Sequence, residues 1–248
     1  MKKHLLCGID VSSKELVVAI DPGTGRVWEG VFPNDAAGHR KLIRRLTRGK
    51  AAARVCVEAT GIYHLDVCLA LEQAKEIEVM VANPRTTKDF ARAQLRRSKT
   101  DRTDALSLLE FVRRMDFEVW VPPTSPILAL RAFSRRIQAL LVARAQEKNR
   151  LHADASVQAT PLAIRESIER HIDAINAEIQ ALTQSALEVV RGDVSLDRRF
   201  ARLVSVKGIA QASAITLLAE LAVLPSDMAA RQWVAHAGLD PRGCPVLC

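Results

Sequence analysis

The apolar stretch His4-Leu5-Leu6-Cys7-Gly8-Ile9-Asp10-Val11 constrains this chain more than any other. A run with β character and little alternation reads as a strand buried on both faces of a sheet. Asp10 interrupts it. An unpaired carboxylate in such a place costs on the order of several kcal/mol. Either Asp10 is an oddity of packing, or it faces a site that binds a cation.

The elements that follow bear on this choice. Residues 4–11 are the first strand, Glu15 to Ile20 the second and Arg26 to Phe32 the third. A glycine-bearing turn, Asp21-Pro22-Gly23-Thr24-Gly25, joins the last two. Tight connections of this kind predict an antiparallel meander. Asn34-Asp35 offers an N-cap for a helix over 35–48, ended by Gly49. Arg54 to Ala59 is a fourth strand with Glu58 near its end, 62–74 a helix, and Ile77 to Val81 a fifth strand. Pro84 opens a helix over 85–97, and another runs over 101–114. The order β-β-β-α-β-α-β-α predicts an α/β domain with a mixed sheet covered on both faces. It is the order of the ribonuclease-H-like fold, whose first strand lies centrally beside the fourth. Asp10 and Glu58 are then neighbours.

A third acidic element is Lys99-Thr100-Asp101-Arg102-Thr103-Asp104-Ala105. Positions i and i+3 share a helix face, so Asp101 and Asp104 project together. Four carboxylates could converge from two strands and one helix. Hard oxygen ligands suit Mg²⁺ or Mn²⁺, and two such ions about 4 Å apart support phosphoryl transfer. Without a metal the four would raise one another's pKa values. Each has a plainer reading. Asp101 is also a good N-cap, Asp104 suits a first helical turn, and Glu58 could be a surface residue.

Taken together, the segments Gly8-Ile9-Asp10-Val11-Ser12, Val57-Glu58-Ala59-Thr60-Gly61-Ile62-Tyr63 and Lys99-Thr100-Asp101-Arg102-Thr103-Asp104-Ala105 resemble the three signature blocks of the DEDD transposases. These are insertion-sequence recombinases with a RuvC-like N-terminal domain, related to Piv-type DNA invertases. The resemblance places the family's four acidic positions on Asp10, Glu58, Asp101 and Asp104, where they bind Mg²⁺. It further implies action on DNA ends, a structured guide RNA and a homo-oligomer.

Charge fits a polyanion partner. The net charge is +8, and residues 85–150 hold 15 Lys and Arg against 7 Asp and Glu, while the remainder holds 21 of each sign. Such a local excess is either the footprint of nucleic acid or a solvated basic face. Asn83-Pro84-Arg85 falls at the end of the fifth strand, where ligands of open sheets bind. Arg85, Lys88, Arg92, Arg96, Arg97, Lys99 and Arg102 bring a basic run to the edge of the site, suited to phosphates. Tyr63, the only tyrosine, either stacks on a base or packs.

Pro122, Pro123 and Pro126 mark a boundary, giving three expected domains over 1–121, 122–195 and 196–248. Residues 127–155 and 161–191 read as long helices, the second with a heptad seam of Ile168, Ile172, Ile175, Ile179, Leu182, Ala186 and Val189. A coiled-coil hairpin follows, with Arg131, Arg135, Arg136, Arg144, Lys148 and Arg150 on its outer face; internal packing and dimerisation compete as its role. Val206-Lys207-Gly208-Ile209-Ala210 between two helices resembles a helix-hairpin-helix, in which Lys207 and Gly208 would meet a phosphate. A plain helical hairpin is the other reading.

Trp233 to Arg242 resembles the start of the family's C-terminal block, which continues to a nucleophilic serine. Here no serine follows Ser226, so no serine nucleophile is assigned, and the expectation is a partial C-terminal helical domain from a truncated or frameshifted chain. The five cysteines include no CxxC pair, and Cys7, Cys56 and Cys68 read as core residues. No apolar run reaches the roughly 18 residues of a membrane span, so a cytoplasmic protein is expected. The functional alternatives are an Mg²⁺-dependent recombinase, a binding protein that dimerises without strand transfer, and a RuvC-like nuclease.

Overall fold

Five strands form one sheet in the order β3-β2-β1-β4-β5. They are β1 (Leu5–Val11), β2 (Glu15–Asp21), β3 (Trp28–Pro33), β4 (Ala53–Glu58) and β5 (Ile77–Ala82). The computed structural model describes residues 4–48, 52–59, 61–94, 100–155, 159–224 and 228–238. The first three strands pair antiparallel, and β4 joins β1 and β5 in parallel. β1 is therefore central and β4 is its neighbour, the arrangement expected of a ribonuclease-H-like sheet. The helices of this unit are α1 (Ala36–Thr47), α2 (Leu65–Glu72), α3 (Pro84–Ala93) and α4 (Asp101–Arg114).

Strand parity assigns the two faces. Cys7 and Ile9 of β1, Leu16 and Val18 of β2, and Val55 and Val57 of β4 pack with Leu42 and Leu46 of α1 and Val67 and Leu71 of α2. On the opposite face Leu6, Ala19, Cys56, Met80 and Ala82 meet Ala105, Leu108, Leu109 and Val112 of α4, with Phe90 of α3 alongside. Gly8, Asp10 and Glu58 are even-numbered like Leu6 and Cys56, and so belong to the α4 face. Burial of each large aliphatic side chain stabilises by about 1.5–3 kcal/mol.

Gly8 sets the distance between α4 and the sheet. A Cβ there would lie 2.3 Å from the Ala105 carbonyl oxygen and 2.3 Å from the Leu109 nitrogen. Helix backbone thus rests directly on strand backbone, two residues before Asp10. Local sequence fixes the helix starts. The Asp35 carboxylate accepts from the Gly38 N–H at 2.7 Å, and the Asn83 side chain accepts from the Arg85 N–H at 2.8 Å, with Pro84 opening α3. α2 begins at Leu65, because Gly61 takes φ +64° and residues 61–64 form turns.

The chain divides into two compact units, Met1–Pro122 and Pro123–Cys248. The second contains α5 (Ser125–Ala155), α6 (Leu162–Gly192), α7 (Val194–Val204), α8 (Gln211–Leu221) and α9 (Ala230–His236). Contacts Arg136–Glu178, Arg144–Asn176 and Glu147–His171 run in opposite chain directions, so α5 and α6 are antiparallel. The heptad positions of α6 are its buried or half-buried stripe, Ala186, Ile175 and Ile172 most completely. Leu130, Ala186, Leu187, Val190, Leu196, Ile215 and Leu218 build one core from α5, α6, α7 and α8. Gly208 takes φ +98° in the exposed turn before α8. The part of the expected C-terminal block over residues 239–248 lies outside the described residues. Among the described residues no helix is long and apolar enough to cross a membrane.

Gly8→Ala tests the close approach. Overpacking against backbone that cannot rotate away should cost at least about 2 kcal/mol in a urea melt. A variant within about 0.5 kcal/mol of wild type would contradict this packing.

Candidate active site

Asp10 and Glu58 are placed by strand register. Ile9 pairs with Val57 in the parallel β1–β4 ladder, and one step further along both strands sets Asp10 opposite Glu58. Parity turns both towards α4. That helix starts with a capping box: the Thr100 hydroxyl accepts from the Thr103 N–H at 3.2 Å, and the Thr103 hydroxyl accepts from the Thr100 N–H at 2.8 Å. Asp101 and Asp104 occupy its first turn, favoured by the positive end of the helix dipole.

Asp10 feels the other three carboxylates. Partial burial, followed by the charges of Asp104, Asp101 and Glu58, pushes the Asp10 pKa from 3.8 up to about 6, against a smaller lowering by the Val11 N–H. An anionic cluster of this kind stores repulsion that a bound cation would relieve. Yet among the described residues no three His, Cys, Asp or Glu side chains lie close enough together to hold a metal ion. The donor chemistry of the four acids, all carboxylate oxygen, fits Mg²⁺ or Mn²⁺.

Several neighbours position this site. The Thr87 hydroxyl of α3, buried, donates to Glu58 Oε2 at 2.7 Å. Asn34 joins two loops at the rim: its Nδ2 donates to the Ser12 carbonyl at 2.8 Å and to the Tyr63 carbonyl at 3.1 Å. With the amide nitrogen so used, Asn34 Oδ1 is the acceptor for buried His39 Nε2, 2.8 Å away, which fixes the imidazole tautomer. Burial holds the His39 pKa below its usual value, consistent with a neutral ring. Sequence reasoning saw Asn34 as a helix-start signal and did not find Thr87 or His39. A hydroxyl three residues beyond the Asn83-Pro84 helix start, pointing back to the strand ends, was the available signal for Thr87.

The basic residues are less uniform than their spacing suggests. Arg85, Lys88 and Arg92 are exposed on α3, and Arg92 lies 3.6 Å from Asp89. Arg102 instead forks onto Glu29 of β3, with its Nη2 2.9 Å from Oε1 and its Nε on Oε2. That hydrogen bond is the main cause holding the Glu29 carboxyl below its ordinary range. Arg96, Arg97 and Lys99 lie outside the described residues. Lys207 and Gly208 are exposed in the second unit. Tyr63 is 52% exposed, so its ring is not a core element. Burial pushes the Cys56 and Cys68 thiols up to about 12, and Cys7 upward as well, which makes all three inert.

Comparison with known proteins shows the family. The profile of the DEDD transposases of the IS110 type, described as transposase, matches residues 7–155. Among solved structures the chain is similar to RuvC from Thermus thermophilus. For its complex with a Holliday junction substrate the TM-score is 0.34 and the identity 15%, covering 45% of this chain and 96% of that one. For a second Thermus thermophilus RuvC structure the values are 0.32, 16%, 44% and 95%. No curated protein sequence matches. The family match spans more than half of the chain and defines a transposase domain over residues 7–155. The chain belongs to the DEDD transposases of the IS110 type.

The Asp10 titration has a defined sign in metal-free buffer. Its folded pKa lies above its ordinary value, so the native state binds more protons between about pH 4 and about pH 6, and stability falls as pH rises through that window. Asp10→Asn should therefore be more stable than wild type by about 1–2 kcal/mol above that window and equal to it below. Urea melts with EDTA at both ends of the range measure this. The same offset at both ends would mean that the carboxylates do not interact.

Proposed function

We propose that this transposase-family chain cleaves and joins DNA strands at the ends of a mobile element, with Asp10, Glu58, Asp101 and Asp104 holding Mg²⁺ or Mn²⁺. The observation that carries the reading is the placement of Asp10 beside Glu58 by the β1–β4 register, on the sheet face covered by α4, whose first turn holds Asp101 and Asp104; the upward push on the Asp10 pKa supports it. When bound, such a metal supplies charge stabilisation for phosphoryl transfer and an activated oxygen nucleophile. The chain's own residues prepare for it. Thr87 holds one oxygen of Glu58, the capping box holds the first turn of α4, and Asn34 joins the loops after Asp10 and Glu58.

Exposed Arg85 and Lys88 on α3 are suited to position backbone phosphates near the ends of β4 and β5 without reading sequence. The exposed ring of Tyr63 favours stacking on a base over packing. Structured guide RNA and homo-oligomerisation belong to the proposal on family resemblance alone.

The test is cleavage of element-end or branched DNA with and without Mg²⁺. Wild type should cleave only with metal, and Asp10→Ala should lose at least about 10³-fold in rate while still binding DNA. Thr87→Val, which removes one hydrogen bond to Glu58, should lose about 10-fold and need more Mg²⁺ for half-maximal rate. Equal cleavage by wild type and Asp10→Ala would end the carboxylate-site reading. Binding without cleavage in wild type would leave a nucleic-acid-binding protein.

A further inference from the structure

Helix α7 sorts its side chains into stripes. Leu196, Phe200 and Leu203, at i, i+4 and i+7, pack into the core of the second unit. Ser195, Arg198, Arg199 and Arg202 recur at i, i+3, i+4 and i+7 along a different strip, and with Val194 they line an open surface cavity. All three arginines are exposed. At about 100° per residue, Asp197 lies at least about 100° around the helix axis from each of them. It cannot neutralise the strip as a whole.

Their lack of partners sets them apart from the arginines of α5. On α5 every arginine is engaged: Arg131 and Arg135 with Glu220, Arg136 with Glu178, Arg144 with Asn176, and Arg150 with Glu147. Among the described residues Arg198, Arg199 and Arg202 make no ion pair. The helix N-terminus is not the attraction here, because the Asp193 carboxylate already accepts from the Ser195 and Leu196 N–H groups at 2.9 and 3.0 Å. The positive field comes from the guanidinium groups.

We infer that the Arg198–Arg199–Arg202 strip of α7 is a docking surface for the phosphate backbone of nucleic acid. Three unneutralised guanidinium groups in a row select an extended polyanion. Arg198 and Arg202 stand about 6 Å apart along the axis, so they meet successive charges instead of one small ion. The planar fork of arginine matches phosphate oxygens two at a time. The lining has one apolar residue, Val194, too little for a helical peptide to bury an apolar face. The inference rests on reading the chain as a nucleic-acid enzyme, but it concerns binding and needs neither metal nor cleavage.

Full-length protein in EDTA and a labelled random-sequence duplex give the test, with affinity followed by anisotropy over a KCl series. Replacing all three arginines by Gln should make the slope of log K against log salt shallower by about 2–3 and weaken binding alike for unrelated sequences. The triple Lys variant should keep most of the slope. An unchanged slope in a Gln variant with wild-type circular dichroism overturns the inference. So does a Gln variant that keeps its duplex affinity and loses affinity for polyglutamate, which would reassign the strip to an acidic protein. Should the triple variant fail to fold, Arg198→Gln, Arg199→Gln and Arg202→Gln singly should each lower the slope by about 0.9. Three unchanged slopes would then be decisive against it. Asp10→Asn should keep the wild-type slope while losing cleavage. Absence of cleavage in wild type would overturn the recombinase reading and leave the strip to stand or fall on its slope.

Discussion

The backbone of α4 rests on the backbone of β1 at Gly8, and the site depends on that contact. A larger residue would lift the helix away from the sheet and carry Asp101 and Asp104 away from Asp10. The strands alone place two carboxylates side by side, through the ladder that pairs Ile9 with Val57. The helix supplies the other two because glycine leaves no side chain between them. Packing and electrostatics oppose each other here. Burial of Leu108, Leu109 and Val112 draws α4 onto the sheet, while four like charges at its N-terminal end resist the last step of approach. Partial protonation of Asp10 near pH 6 reflects that balance.

A second theme is how the loops around the site are held. Asn34 reaches from the end of β3 to the Ser12 and Tyr63 carbonyls, and a neutral His39 holds the amide in the one orientation that serves both. The rim is thus tied through side chains where backbone pairing has ended. Thr87 does the same for Glu58 from α3.

Much of this could be read in the sequence. Asp10 inside an apolar run, Glu58 at the end of the fourth strand and the Asp101–Asp104 spacing follow from periodicities of two and 3.6, and the central place of β1 beside β4 follows from the ribonuclease-H-like fold that the element order resembles. What stayed hidden depends on tertiary partners with no fixed spacing. Thr87 and Glu58 are 29 residues apart, and Asn34 and Tyr63 are also 29 apart. Arg102 sits in the basic run, yet it closes on Glu29, 73 residues away. The arginines of α5 look like an outer basic face in sequence, but acids and an amide from α6 and α8, and Glu147 of α5 itself, engage them. Conversely, Arg198, Arg199 and Arg202 attract little notice in a balanced segment, and only the helix geometry shows that Asp197 leaves them uncompensated.

The parity shared by Gly8 and Asp10 bears on how errors in assembly would show. A slip of β1 by one residue would set a Cβ, that of Cys7 or Ile9, against the α4 backbone and turn Asp10 into the apolar layer beneath α1 and α2. Misregistered chains would thus be both clashing and without their first acid. A slipped β1 would give an unstable molecule, and a defective copy would be cleared instead of persisting.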